Sequence, residues 1–230
     1  MANKGSSTKK QTLIMFLADK LFHPQILFEN ESIQNQILNE PLIIICNHSR
    51  KTKQNRLTSG DGPIIRYVFN NHNICSLMAE DLMKRPLMKW AISECDCIPV
   101  RRNVASTEWL HKCKEKLDEG VSVVIFPEGT TIKKQDIIEF KPGFALLASL
   151  ANVKILPVAI NGTYKPFSKG KLKIKIGIPE ELNIKQSTPT ELKNKASYFQ
   201  NKIENMYYSL KEDNNSSFFQ NCENANKQII

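Results

Sequence analysis

Short apolar, β-branched runs recur along the chain: LIIIC at 42–46, ICSLM at 74–78, CIPV at 97–100, VSVVIF at 121–126, ILPVAI at 155–160 and LKIKIGI at 172–178. Runs of this length without polar interruption suit strands covered on both faces. Between them, DLMKRPLMKWAI and STEWLHKCKEKLDEG read as helices, the second with Ser106 placed to cap its start and Gly120 its end. The alternation predicts an α/β fold, a mostly parallel central sheet flanked by helices. In LKIKIGI, Lys173 and Lys175 alternate with apolar residues, which predicts an edge strand with one wet face.

Further on, Leu192, Ala196, Phe199, Ile203, Met206 and Leu210 fall on one stripe of a helix over about 190–210, expected to dock on the body. After Lys211 the chain turns polar and Asn-rich without period, and 211–230 is expected to be a disordered tail. At the other end, the apolar run in KKQTLIMFLADKLFHPQILF is broken by Asp19 and Lys20 and is too short to span a bilayer of about 30 Å. Leu13, Leu17 and Leu21 align at helical spacing with lysines nearby, which fits a helix lying in a membrane interface or one covering the domain's own core. The expected organisation is therefore an amphipathic membrane-contact segment over 1–30, one domain over 31–210, and the tail.

A length of 230 residues suits a single core. Lysine and arginine number 32 against 23 acidic residues, a net charge of +9, so the partner should carry phosphates or acidic groups. Nucleic acid, an anionic membrane and an acidic carrier protein all qualify by charge. The basic residues lack interleaved aromatics and any familiar nucleic-acid motif, so no nucleic-acid partner is expected. The six cysteines (Cys46, Cys75, Cys95, Cys97, Cys113, Cys222) are scattered, and Cys95-Asp-Cys97 lacks a second pair at zinc spacing. Free thiols in a reducing compartment, and no metal, are the expectation.

Four stretches could carry chemistry. LIIICNHS sets Asn47 and His48 just past the carboxyl end of a buried strand, where open α/β sheets hold their ligands. CIPVRRN places Arg101 and Arg102 after another strand, either a solvated strand end or a fork for phosphate. VVIFPEGTT runs a buried strand straight into a carboxylate, a glycine and a hydroxyl, and lacks the Gly-Lys-Ser/Thr of a P-loop. ILPVAING is a fourth strand ended by a turn signal.

In this order, over roughly residues 40 to 162, the segments resemble the glycerolipid acyltransferase family, whose best-known members are the 1-acylglycerol-3-phosphate acyltransferases. The family's Asn-His-x4-Asp corresponds to Asn47-His48 with Asp61-Gly62-Pro63. Its Ile-Pro-Val-x-Arg corresponds to Ile98-Pro99-Val100-Arg101-Arg102. Phe126-Pro127-Glu128-Gly129-Thr130, trailed by Phe140-Lys141-Pro142-Gly143, and Leu156-Pro157-Val158 match its last two blocks. Two departures stand out: twelve residues separate His48 from Asp61 instead of four, and Thr131 occupies the usual place of an arginine. Lys53 stands where the short-gap aspartate would be. Tripling a flexible loop costs only about (3/2)RT ln 3, roughly 1 kcal/mol, so Asp61 can fill the role across an inserted polar loop.

The resemblance implies acyl transfer from a thioester, acyl-CoA or acyl carrier protein, to the free hydroxyl of lysophosphatidic acid, with no cofactor and no metal. It implies His48 as general base and Asp61 as its partner, with Arg101, Arg102, Glu128, Gly129, Thr130 and Lys141 around the acceptor and its phosphate. Lys133, Lys134 or Lys141 would compensate for the missing arginine. Another lysophospholipid or glycerol 3-phosphate as acceptor, and a catalytically silent lipid-binding homologue, are the alternatives. A peripheral protein on the cytoplasmic membrane face is the expected location.

Overall fold

The structure is a computed structural model that describes residues 23–30, 33, 40–49, 61–70, 72–81, 96–101, 106–130, 137–162, 172–184 and 186–226, with 212–226 as backbone only. In chain order the elements are β1 (Gln25–Phe28), β2 (Ile43–Cys46), α1 (Asp61–Val68), β3 (Ile74–Ala79), β4 (Cys97–Val100), α2 (Glu108–Asp118), β5 (Ser122–Ile125), α3 (Gly143–Ala151), β6 (Ile155–Gly162), β7 (Leu172–Ile176) and α4 (Pro189–Asn226). Seven strands form one sheet in the order β1-β7-β6-β2-β5-β3-β4. β6, β2, β5, β3 and β4 are mutually parallel, with registers such as Ile43↔Val123 and Ile44↔Leu156, while β7 runs antiparallel to β6.

The continuous apolar runs have a direct cause: both faces of the sheet are covered. Ile43, Ile45, Val123, Ile155 and Ala159 point into a core shared with α2, α3 and α4. Their strand neighbours Ile44, Cys46, Val124, Leu156 and Ile160 point into the second core, shared with Ile64 and Ile65 of α1. The stripe on α4 docks as its spacing predicts, with Ala196, Phe199, Ile203 and Leu210 at most 1% exposed and Phe199 edge-on to Phe144 of α3. At α2, the Ser106 hydroxyl accepts the Glu108 N–H at 3.2 Å. Its C-terminus closes with Gly120 at φ +79°, Gly120 N–H on Leu117 O and Val121 N–H on Lys116 O, a Schellman closure.

Three expectations are corrected. β7 is not an edge strand: β1 pairs with it in parallel register, Gln25↔Lys173 through Phe28↔Ile176. The alternation of Lys173 and Lys175 marks instead a face lying against α4, where Lys175 Nζ donates to Ser209 Oγ at 3.0 Å and Lys173 is buried; long aliphatic stems cover apolar surface while their heads reach polar partners. By the same pairing, Gln25–Phe28 belong to the sheet rather than to an amphipathic segment ending at residue 30. The rest of that segment, 1–22, lies outside the described residues, as does most of the helix read at 81–92. Finally, α4 does not give way to irregular chain at Lys211 but stays helical to Asn226. After Pro189 it meets neither glycine nor proline, and a helix nucleated on the body extends at one hydrogen bond per residue fixed. Among the described residues no helix is long and apolar enough to cross a membrane.

Candidate functional site

Because five strands are parallel, the carboxyl ends of β2, β5 and β6 lie side by side at one edge of the sheet. Asn47 continues the ladder beyond β2 with its side chain. Asn47 Nδ2 donates to Ile160 O at 2.9 Å, and Ile160 N–H donates to Asn47 Oδ1 at 2.8 Å. A buried amide satisfied on both ends fixes the backbone just before His48.

His48 is then held on three sides. Asp61, the first residue of α1, stands with Oδ2 at 2.9 Å from His48 Nδ1, so the pair meets across the twelve-residue interval. The same Oδ2 accepts the Ser49 N–H at 3.2 Å. An ionised carboxylate only accepts, so it fixes the ring proton on Nδ1 and leaves Nε2 as the basic nitrogen. The start of a helix favours that negative charge. On the ring face, Phe126 stacks on the imidazole at 4.3 Å between centroids and 9° between planes. This geometry excludes water from one face and suits an imidazolium. Behind it, Glu128 Oε1 accepts the His48 backbone N–H at 2.7 Å.

The resemblance groups Glu128 with the acceptor-binding residues; in the structure its side chain is 2% exposed and holds the backbone of His48. Gly129 follows with φ +65° and its N–H on Phe126 O at 3.0 Å, a turn that favours glycine. Thr130 is half-buried beside it, and Lys141 is exposed, its N–H on Pro127 O at 2.9 Å. Arg101 is tied to Glu80: Nε donates to Glu80 Oε2 at 2.8 Å, both side chains largely exposed. The register Ala79↔Val100 carries the chains out side by side and makes this pair, a sign available once β3 and β4 are paired. Arg102, Thr131, Lys133, Lys134 and the insert at 50–60 lie outside the described residues.

Cys46, one residue before Asn47, is fully buried, and burial first, then the Asp61 carboxylate, pushes its thiol well above the ordinary value. It is therefore a protonated packing residue rather than a nucleophile. Cys75, Cys97 and Cys113 are also free thiols.

The Acyltransferase family model matches residues 25–161, from the first strand to the end of β6, more than half of the chain and all of the site above. The chain belongs to the acyltransferase family. This acyltransferase-family chain is 33% identical over 87 residues to a chloroplastic 1-acyl-sn-glycerol-3-phosphate acyltransferase of Arabidopsis thaliana, covering 37% of the chain and 24% of that protein. It is 31% identical over 107 residues to the enzyme of the same name from Helicobacter pylori, 45% of each. A protein of Mycoplasma genitalium named as a probable 1-acyl-sn-glycerol-3-phosphate acyltransferase is 26% identical over 146 residues, 63% of the chain and 53% of that protein. The chain thus spans from a quarter to about half the length of these relatives. Among solved structures, the 1-acyl-sn-glycerophosphate acyltransferase of Thermotoga maritima superposes with a TM-score of 0.64 at 24% identity, over 92% of this chain and 84% of that one, a likeness of fold.

Proposed function

We propose that this acyltransferase-family protein moves a fatty acyl chain from the thioester of acyl-CoA or acyl carrier protein to the free hydroxyl of 1-acylglycerol 3-phosphate, giving phosphatidic acid. The observation that carries the reading is the 2.9 Å contact of His48 Nδ1 with Asp61 Oδ2, which supports a working dyad over a silent homologue. The relatives' names support the acceptor.

In this scheme the acceptor hydroxyl is the nucleophile. His48 Nε2 takes its proton as its oxygen bonds to the thioester carbonyl carbon, and Asp61 steadies the imidazolium that forms. The tetrahedral centre then collapses, the carbon–sulfur bond breaks, and the proton passes from Nε2 to the departing sulfur as free thiol. Both products leave without an enzyme-bound acyl group, so the site needs no nucleophile, metal or cofactor of its own. Phe126 limits water at the ring, and Glu128 and Asn47 keep the strand end from moving as the imidazole takes on charge. The resemblance assigns the acceptor and its phosphate to Arg101, Arg102, Gly129, Thr130 and Lys141. The lipid substrate and the +9 charge support a peripheral position on an anionic, cytoplasmic membrane face.

The test is thiol release by the purified protein with lysophosphatidic acid and a long-chain acyl-CoA. His48→Ala should lower the rate by about 10² to 10⁴, the usual share of general base catalysis. Equal release by wild type and variant would overturn the proposal.

A further inference from the structure

His48 Nδ1 and Asp61 Oδ2 stand 2.9 Å apart although twelve residues separate the two in sequence. A connection of that length can stretch to roughly 40 Å, so it does not set their separation. His48 follows the end of β2, and Asp61 opens α1, a helix of 8 residues and about 12 Å. The placing of α1 on the sheet therefore decides whether the carboxylate reaches the ring. Ile64 and Ile65 bury one face of α1 in the core, and burial of this kind is non-directional. It holds the helix down without fixing how far it lies along its axis.

Arg66 supplies the missing direction. It lies in the last turn of α1, 7% exposed, and its Nη1 donates to the carbonyl of Ile74, the first residue of β3, at 2.9 Å. Ile74 is itself tied to the strand beside β2. It pairs in register with Ser122 of β5, whose N–H donates to Asn73 O at 2.9 Å and whose hydroxyl accepts the Leu42 N–H at 3.0 Å, just ahead of β2. Hydrogen bonds and strand pairing thus run from the root of β2 through β5 and β3 to α1. Arg66 Nε, by contrast, is buried with no hydrogen-bond partner among the described residues. Burying a guanidinium is costly, and an apolar side chain of similar length fills the same space more cheaply. What the guanidinium adds is one directed bond from the helix to the sheet.

We propose that Arg66 is a positioning residue for the dyad: it fixes α1 along the sheet so that Asp61 meets His48, a task for which the connection over 49–60 is too long. The kinetic consequence rests on the acyl-transfer reading above, while the positioning itself does not.

The experiment compares the full chain with Arg66→Met and Arg66→Lys, each with and without Asp61→Ala, by proton NMR and by thiol release from a long-chain acyl-CoA with lysophosphatidic acid. The downfield Nδ1–H signal of His48, assigned by its loss in His48→Ala and Asp61→Ala, should move upfield and broaden in Arg66→Met. Arg66→Lys, which keeps a donor for Ile74 O, should retain it. Arg66→Met should lower kcat by about tenfold to a hundredfold, since a misplacement of about 1 Å costs about 10². Both KM values and the melting temperature should stay near wild type. In the Asp61→Ala background the same change should alter kcat by less than about twofold, because no carboxylate is left to position. An unshifted signal in Arg66→Met, or the same fold-loss of kcat with and without Asp61, overturns the assignment. So does loss of the melting transition in both Arg66 variants, which makes Arg66 a residue of the fold at large. Wild type that transfers nothing to lysophosphatidic acid, or a His48→Ala variant as active as wild type, removes the reaction and leaves the positioning to be decided by the NMR signal alone.

Discussion

Replacing Asp61 by asparagine separates two jobs that a carboxylate does for a histidine: choosing which ring nitrogen holds the proton, and stabilising the charge when both do. An asparagine that turns its amide nitrogen toward Nδ1 imposes the wrong tautomer, and such an exchange costs about 10⁴ in rate. Here a second donor decides the orientation. One oxygen, Oδ2, accepts from both His48 Nδ1 and the Ser49 amide. A nitrogen in that position would face the Ser49 N–H donor to donor, so Asp61→Asn should present its oxygen there and keep the proton on Nδ1. What remains lost is charge. With side chains 19% and 9% exposed, an intermediate dielectric applies. A full unit pair about 4 Å apart then interacts by about 4 kcal/mol, and a transition state with the proton half transferred forfeits about 2 kcal/mol. That is about a thirtyfold loss in kcat. Asp61→Ala, which removes orientation as well, should fall to the level of His48→Ala. Thiol release at saturating acceptor, with thermal melts as a fold control, makes the comparison. If Asp61→Asn is as inactive as Asp61→Ala, the Ser49 amide does not set the amide's orientation and the reasoning fails.

Glu128→Gln keeps an oxygen for the His48 amide and should retain activity within about tenfold, whereas Glu128→Ala leaves a buried N–H without its acceptor, costing about 1–3 kcal/mol; steady-state kinetics on both variants checks this, and equal loss would assign the role to charge instead. Gly129→Ala puts a Cβ on a backbone at φ +65° and against Lys141, so it should destabilise by about 1–2 kcal/mol, read as a drop in melting temperature. Burial, reinforced by Asp96 for Cys75 and by Cys75 for Cys113, pushes both thiols up to about 12 from an ordinary 9.0. Alkylating reagents at pH 8 should therefore label them only in denaturant. Between pH 9 and about 12 the unfolded chain ionises these thiols while the folded one resists, so their contribution to stability is whole below pH 9 and lost across that window, measurable as a falling denaturation midpoint.

The strands and the α4 stripe were legible because burial on two faces, or on one helical stripe, writes itself as a period in one dimension. Leu42 through Cys46 alternate between two cores, and that requires every position to be apolar. β1 escapes the pattern because QILF is short and follows an amphipathic run, whereas the edge expectation for β7 comes from its alternating lysines and fails because β1 pairs with it. Its lysines show that alternation reports side-chain direction, and what lies over that side is set by distant chain, here α4. At the site, His48 and Asp61 could be linked only by resemblance, since twelve residues carry no periodic signal. Nor does a carboxylate after a buried strand declare whether it turns inward, as Glu128 does, or outward. The Arg101–Glu80 pair depends on two strands lying side by side, which spacing along the chain does not encode.

Asp61 owes its place to where α1 begins, and His48 owes its place to where β2 ends. Each is anchored by its own element, so the pairing depends on where those two elements meet rather than on how many residues join them. Fixed-gap signatures will pass over proteins built this way, and the same junction is a natural port for inserting an engineered tag or sensor into a working member of the family.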